Sequence, residues 1–391
     1  MRLHGPWHYE PLARTCIHAD GRIDELPGGL PAAGTMKLPA VWHGTPLDGF
    51  RGRVRWTRRF HGPRSLEPHE RLWLVFNGVD YFADVSLGGR LLGRHEGYFD
   101  SFDFDVTPLI RPRNELVVDV ACPAEADPTR PHMVRGRRES LCPRFVGGIW
   151  RDVVLEVRSV AFLRDVELAT HIEGERGVIM AKGLIVGDAG TRLGLELSID
   201  GRHAASARFE ASFDPMPFVL EAVVDPVELW WPRGMGAPRT YAIELELHGH
   251  ARTLAAASSL AGFRRASLLV DSVGSANIEF NGRDQPVVFR DLVAVANFGP
   301  PTTAAALRTR ASAGAGHGRV EIWRTGGEVL LPESYELADR EGIVILQETP
   351  APADCRDATA RDRVRPMIQS LRRLLSHHPS VLLDHELASR A

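Results

Sequence analysis

Side chains able to move protons or hold a ligand gather at three places in this 391-residue chain. His95 and Glu96 are adjacent, His377 and His378 precede a Pro-Ser pair with Glu386 following, and RGRRESLCPRF at 135–145 concentrates arginines around Arg138 and Glu139. Histidine and glutamate are the usual general acids and bases, so the first two places are equipped for proton transfer. Their spacing matches neither a Ser-His-Asp arrangement nor a metal-ligand pattern, and such residues more often serve as turn or capping residues. The arginine stretch is chemically fit for an acidic ligand, or for plain solvation.

The four cysteines, Cys16, Cys122, Cys142 and Cys355, stand far apart with no C-x-x-C pair. That argues against a zinc site and supplies no disulfide framework, so no cofactor or metal is expected and a reducing compartment fits best. Lys plus Arg number 47 against 50 Asp plus Glu, a net charge of −3, which disfavours nucleic acid and anionic membranes as partners. An apolar share of 44% and a charged share of 25% belong to an ordinary globular protein. The opening MRLHGPWHYEPLART has no apolar h-region, and no run approaches the roughly 18 apolar residues that span a bilayer. A cytoplasmic protein is the expectation.

These residues need elements to position them, and a chain of this length implies two or three domains. Apolar residues alternate in RVRWTRRF (53–60), RLWLVFNGV (71–79), YFADVSL (81–87) and ELVVDVAC (115–122), the mark of half-buried strands. A second set runs from DVELATHI (165–172) through GVIMAKGLIV (177–186), RLGLELSID (192–200) and SARFEASF (206–213) to TYAIELELHG (240–249), predicting a smaller antiparallel sandwich. Residues 271–286 are rich in breakers, and the texture changes after them. Strand and helix then alternate: helix at 302–316, strand at 318–325, helix at 332–342 ending on Gly342, strand at 343–349, and an amphipathic helix at 358–378 that Pro366 kinks or begins.

Several segments resemble glycoside hydrolase family 2, the group of β-galactosidases, β-glucuronidases and β-mannosidases. LVFNGVDYFADVSLGGRLLGRHEGYFDSFDFDVTPLI (74–110) and GGIWRDVVLE (147–156) resemble its sugar-binding jelly roll. LWWPRGMGAPRTYAIELEL (229–247) and GFRRASL (262–268) resemble the close of its immunoglobulin-like domain. NGRDQPVVFRD (281–291), IWRTGG (322–327), YELADREGIVILQE (335–348) and LRRLLSHHPSVLL (371–383) resemble the first units of its (β/α)8 barrel. The resemblance implies a multidomain β then α/β chain: a jelly-roll domain at 1–158, an immunoglobulin-like sandwich at 159–262 and a partial TIM-barrel-like domain at 263–391. GGIW and WWP read as architecture, because large aromatics mainly supply buried area.

Retaining hydrolysis needs two carboxyl groups about 5–5.5 Å apart. In the family the proton donor is the Glu of an Asn-Glu pair after His-Pro-Ser, and the nucleophile lies on a later strand. Counted in that register the donor position falls on Ser389, preceded by Ala388, while Glu386 comes three residues early. Residues 263–391 number 129, against roughly 200–250 for a whole barrel. The resemblance therefore implies a homologue without the catalytic pair, binding a carbohydrate or a protein. Alternatives are a subunit of a split β-glycosidase and an enzyme of unrelated chemistry. Family position places a β-linked pyranoside near Trp323, Glu348, Arg138 and Glu139, with Glu386 as the candidate donor. Expected partners are that carbohydrate, a second copy of the chain, or a chain that completes the barrel.

Overall fold

The computed structural model describes residues 1–63, 65–127, 132–133, 147–212, 214–249, 252–270, 276–292, 303–313, 319–349 and 358–383. Two compact units emerge, one built chiefly from Met1–Arg158 and the other chiefly from the chain after it. No described helix is long and apolar enough to cross a membrane.

Alternation builds the first unit. In Arg113–Cys122 the side chains of Leu116, Val118, Val120 and Cys122 are buried, and the antiparallel partner Gly52–His61 sends Val54 and Trp56 inward beside them. Gly5–Ile17, Val79–Leu87 and Arg90–Gly97 extend the same sheet, and Val153–Ser159, Glu70–Phe76 and Phe102–Asp105 form a smaller one. Trp7, Trp42, Trp56, Leu74 and Phe76 lie in the apolar core that these elements share.

Gly5–Ile17 is a strand that apolar alternation in the sequence does not announce, because Pro6 and Pro11 disguise it. Trp7, Tyr9, Ala13 and Ile17 are nevertheless buried at alternate positions, and the ladder to Gly52–His61 shifts register between Pro11 and Ala13. A proline is tolerated at such a bulge, where the ladder is already interrupted.

The GGIW turn is architectural in atomic detail. Gly148 has φ +81°, and a Cβ there would stand 2.3 Å from Trp42 Nε1. The buried Asp80 carboxylate accepts the Gly147 N–H at 2.8 Å, and Trp150 donates its Nε1–H to the Tyr98 carbonyl at 2.6 Å.

The second unit begins with a sandwich of two antiparallel sheets. Ala161–Glu173, Arg176–Gly187 and Met216–Val224 form one, and Arg202–Glu210, Arg192–Ile199, Tyr241–Gly249 and Arg252–Ala261 the other. Ile179, Ile185, Leu195, Leu197, Phe218, Ile243, Leu245 and Phe263 fill the space between them. A six-stranded sheet follows: Ala266–Val270, Ala276–Phe280 and Arg283–Asp291 are antiparallel, then Val320–Arg324, Val344–Gln347 and Val381–Leu383 continue in parallel. The order of sandwich, sandwich and partial α/β barrel is the expected one.

Two local features add to the sequence reading. The breaker-rich 271–286 stretch contains strand Ala276–Phe280 and half of a hairpin, turned at Asn281 (φ 49°) and Gly282 (φ 81°). Asn-Gly is the preferred pair for a tight hairpin turn, so the breakers belong to a turn between strands. Pro366 lies inside helix α3, Ala358–Leu375, and does not open it. It faces solvent, where water can satisfy the carbonyl that its missing N–H leaves open, while Val364, Met367, Leu371 and Leu375 form the buried stripe. Helix α1, Ala304–Ala313, and helix α2, Pro332–Glu341, form where expected, with Gly342 closing α2 at φ 70° and donating its N–H to the Ala338 carbonyl.

A paired substitution separates steric from conformational cost in the first unit. Gly89 also has positive φ, but a Cβ there would meet nothing within 4 Å, so Gly89→Ala is expected to cost about 1 kcal/mol for backbone strain alone. Gly148→Ala should cost about 3 kcal/mol in denaturant unfolding, because the methyl group also meets Trp42. Equal losses would mean that Trp42 gives way.

Candidate functional site

A parallel sheet with helical crossovers has two chemically different ends. Side chains at the C-terminal ends of its strands surround the catalytic site of (β/α)8 enzymes, whereas the opposite end serves stability. The structure sorts the candidate residues between these ends.

His377, His378 and Ser380 precede Val381–Leu383 and therefore sit at the stabilising end. Asp339, near the C-terminus of α2, is fully buried there. His378 donates from Nδ1 to Asp339 Oδ2 at 2.5 Å, and Ser380 donates both its backbone N–H (3.1 Å) and its hydroxyl (2.6 Å) to Asp339 Oδ1. Serine and histidine thus both bond the aspartate, and the order needed for a nucleophile, serine to histidine to aspartate, is not formed.

The neighbouring His377 meets Ser259 Oγ through Nε2 at 2.8 Å, and its Nδ1 is buried with no hydrogen-bond partner among the described residues. Burial, followed by the nearby His378, holds its pKa well below the ordinary histidine range. The less costly neutral tautomer carries the proton on Nε2, leaving a bare acceptor at Nδ1.

Motif segments distant in sequence converge on this cluster. Arg264 donates from Nε to the Pro379 carbonyl at 2.6 Å and also bonds the Val381 carbonyl. A Cβ on Gly262 would stand 2.5 Å from Pro379 Cγ, so only glycine permits the approach. Trp230, fully buried, donates Nε1–H to the Asp339 carbonyl at 2.8 Å, while its backbone N–H bonds the Phe263 carbonyl at 2.8 Å.

The C-terminal ends carry a different set. Parallel register places Asp291 beside Arg324, whose guanidinium donates Nε–H and NH2 to the two carboxylate oxygens at 2.9 and 3.1 Å. Glu348, half-buried just past Val344–Gln347, accepts the Gly326 N–H on Oε2 at 2.5 Å. That N–H is presented by a glycine turn, with φ 65° at Gly326 and 86° at Gly327. Beneath it the buried Gln347 accepts the Tyr335 hydroxyl at 2.6 Å and donates to the carbonyls of Glu328 (3.1 Å) and Glu348 (2.9 Å).

Of the sequence candidates, Glu348 therefore lies at the end of the sheet suited to chemistry. Trp323 lies on the adjoining strand but is only 8% exposed, which leaves little ring face for a sugar. Arg138, Glu139 and Glu386 lie outside the described residues. His95 and Glu96 point to opposite sides of their strand: Glu96 is exposed, and His95 stacks on Phe102 with ring centroids 3.9 Å apart. Burial pushes the His95 pKa down to about 4. Sequence reasoning does not find Asp291 and Arg324 as a pair, although both end their strands, in FRD and IWR, and parallel pairing of those strands would have joined them.

Residues 51–139 match a family profile described as glycosyl hydrolase 2 galactose-binding domain-like. The chain is 25% identical to beta-mannosidase B of Neosartorya fischeri, over 96% of its own length and 48% of that protein, and 24% identical to beta-mannosidase A of Aspergillus aculeatus, over 81% and 41%. It thus spans less than half the length of these relatives. A crystal structure of a β-D-mannosidase from Dictyoglomus thermophilum superposes with a TM-score of 0.72 at 19% identity, over 98% of this chain and 51% of that one. A putative beta-galactosidase from Bacteroides fragilis gives 0.74 at 17% identity, over 100% and 60%, a likeness of fold.

His95 and His377 give a pH dependence with a definite sign. Their folded pKa values are depressed below the usual value near 6.5, so the unfolded chain binds protons first as pH falls. Stability should be complete above about pH 6.5 and decline below it, with a slope of up to about 1.4 kcal/mol per pH unit per histidine. Denaturant unfolding at pH 7.5 and pH 5 measures this, and His377→Gln, which keeps a donor for Ser259, should flatten the decline.

Proposed function

This chain belongs to glycoside hydrolase family 2, and we propose that it binds a β-linked carbohydrate without cleaving it by means of the residues it carries. The observation that supports this reading is the engagement of the carboxylates at the chemically competent end of the sheet. Asp291 is clamped by Arg324 and Glu348 is tied to the Gly326 N–H, each held by a neighbouring strand or turn. Retaining hydrolysis asks instead for two carboxyls facing a substrate at about 5–5.5 Å, one of them a proton donor. A guanidinium, two carboxylates and glycine-turn backbone are groups that hold sugar hydroxyls by directional hydrogen bonds. The resemblance to β-mannosidases, of which the chain covers less than half, places β-mannosides first among ligands to test.

A second reading has its own support. Val381–Leu383 is the outermost parallel strand among the described residues, paired only to Val344–Gln347. Such an edge accepts a further strand. In a split β-glycosidase another polypeptide would continue the sheet and bring the nucleophile.

Incubation of the purified chain with 4-nitrophenyl β-mannoside, β-glucuronide and β-galactoside should release no nitrophenol above an enzyme-free control. Calorimetric titration with methyl β-mannoside should detect binding that Glu348→Gln weakens about tenfold, the worth of one charged hydrogen bond. Turnover abolished by Glu348→Gln or Glu386→Gln would defeat the binding-only reading. Turnover that appears only with a co-purifying polypeptide would favour the split enzyme.

A further inference from the structure

The first unit carries a group of side chains that the carbohydrate reading does not use. Strand Gly5–Ile17 turns back into Ile23–Leu26, with Ile17 paired to Ile23 and Cys16 to Asp24. The turn is closed by the His18 N–H on the Arg22 carbonyl at 2.9 Å. Side chains two apart on a strand share a face, and cross-strand partners do so as well. Cys16, His18, Arg22 and Asp24 therefore stand together on one face of this hairpin.

The ligand atoms of Cys16, His18 and Asp24 all lie within 4.8 Å of one another. His18 Nε2 has two contacts that demand opposite protonation. It is 3.1 Å from Arg22 NH2, which can only donate, and 2.9 Å from Asp24 Oδ2, which as a carboxylate can only accept. The Arg22 guanidinium also donates from NH1 to Asp24 Oδ1 at 2.7 Å, so it bridges imidazole and carboxylate as a cation. A metal ion would remove the conflict, because the Nε2 lone pair and Oδ2 can both point at one positive centre.

We propose that Cys16, His18 and Asp24 form a binding site for a borderline-soft divalent cation, Zn²⁺ by its ligand chemistry, with Arg22 as the displaceable cation that occupies the same face. Thiolate, imidazole and carboxylate are the three zinc ligand types, and magnesium and calcium take oxygen ligands instead. Three protein ligands leave a fourth position for water, as in zinc sites that remain open. On binding, the Cys16 thiol releases its proton to solvent. Arg22 is 59% exposed on its side chain and has room to swing away, while His18 (33%) and Asp24 (39%) remain reachable from solvent. Cysteine spacing alone argues against zinc for want of a C-x-x-C pair; here the ligands come from a C-x-H pair and its cross-strand neighbour.

The test uses the full chain, reduced and freed of metal, titrated with Co²⁺ and then with Zn²⁺. Equimolar Co²⁺ should produce a near-ultraviolet thiolate-to-cobalt band and the visible intensity of a four-coordinate ion, both removed by Zn²⁺. Cys16→Ser should abolish the thiolate band. Asp24→Asn should weaken binding by about tenfold or more. Arg22→Ala should tighten it about threefold to fivefold, since it removes a surface ion pair that the metal must displace. Absence of the band in the wild-type chain, or its survival in Cys16→Ser, overturns the proposal. Circular dichroism checks folding, and if Cys16→Ser fails that check, unchanged affinity in both Asp24→Asn and Arg22→Ala overturns it equally.

Discussion

A single buried carboxylate organises the second unit. Asp339 has no solvent exposure, and an isolated charge in such a place would cost several kcal/mol. Its oxygens are satisfied by His378, the Ser380 N–H and the Ser380 hydroxyl, while its backbone carbonyl takes the Trp230 indole. Those partners come from the turn before strand Val381–Leu383 and from the crossover between the two sheets of the antiparallel sandwich, where Trp230 lies between Met216–Val224 and Tyr241–Gly249. Helix α2, the His-Pro-Ser turn and the Trp-Trp-Pro segment are thus fixed to one point. Gly262 against Pro379 and Arg264 on the carbonyls of Pro379 and Val381 hold the same junction from the other side.

With the junction fixed, the far end of the parallel sheet becomes a rigid platform. The register that aligns Asp291 with Arg324 follows from strand pairing, and the contact of Glu348 with the Gly326 N–H adds the glycine turn that follows Val320–Arg324. Polar groups on strand ends are held more precisely than groups on loops. The two ends divide the labour: histidine, serine and aspartate at one end are committed to packing, and the guanidinium and carboxylates at the other remain partly open. A residue's type alone does not reveal this division, since His377 and His378 look as chemically capable as Glu348.

The fold was legible where the sequence announces one face clearly. Arg113–Cys122 alternates almost without error, and α2 carries both a proline at its start and Gly342 at its end. Gly5–Ile17 was hidden because Pro6 and Pro11 interrupt it, Pro11 at a bulge, and Ala276–Phe280 because the Asn281-Gly282 turn reads as a loop instead of a hairpin. The site was less legible. Glu348 is named from family position alone, and the Asp291–Arg324 clamp and the Cys16, His18 and Asp24 face depend on which strands lie side by side. Parallel strands joined by a long crossover leave no fixed spacing in the chain, so no motif search along it would find the Asp291–Arg324 pair.

The central claim is that Asp339 joins the sandwich, helix α2 and the last parallel strand into one cooperative body. Hydrogen exchange of Asp339→Asn against the wild-type chain measures this most directly. The account predicts faster exchange at both 229–231 and 377–383, segments far apart in sequence, with Arg113–Cys122 in the first unit unchanged. Acceleration confined to α2, or none at all, would contradict it.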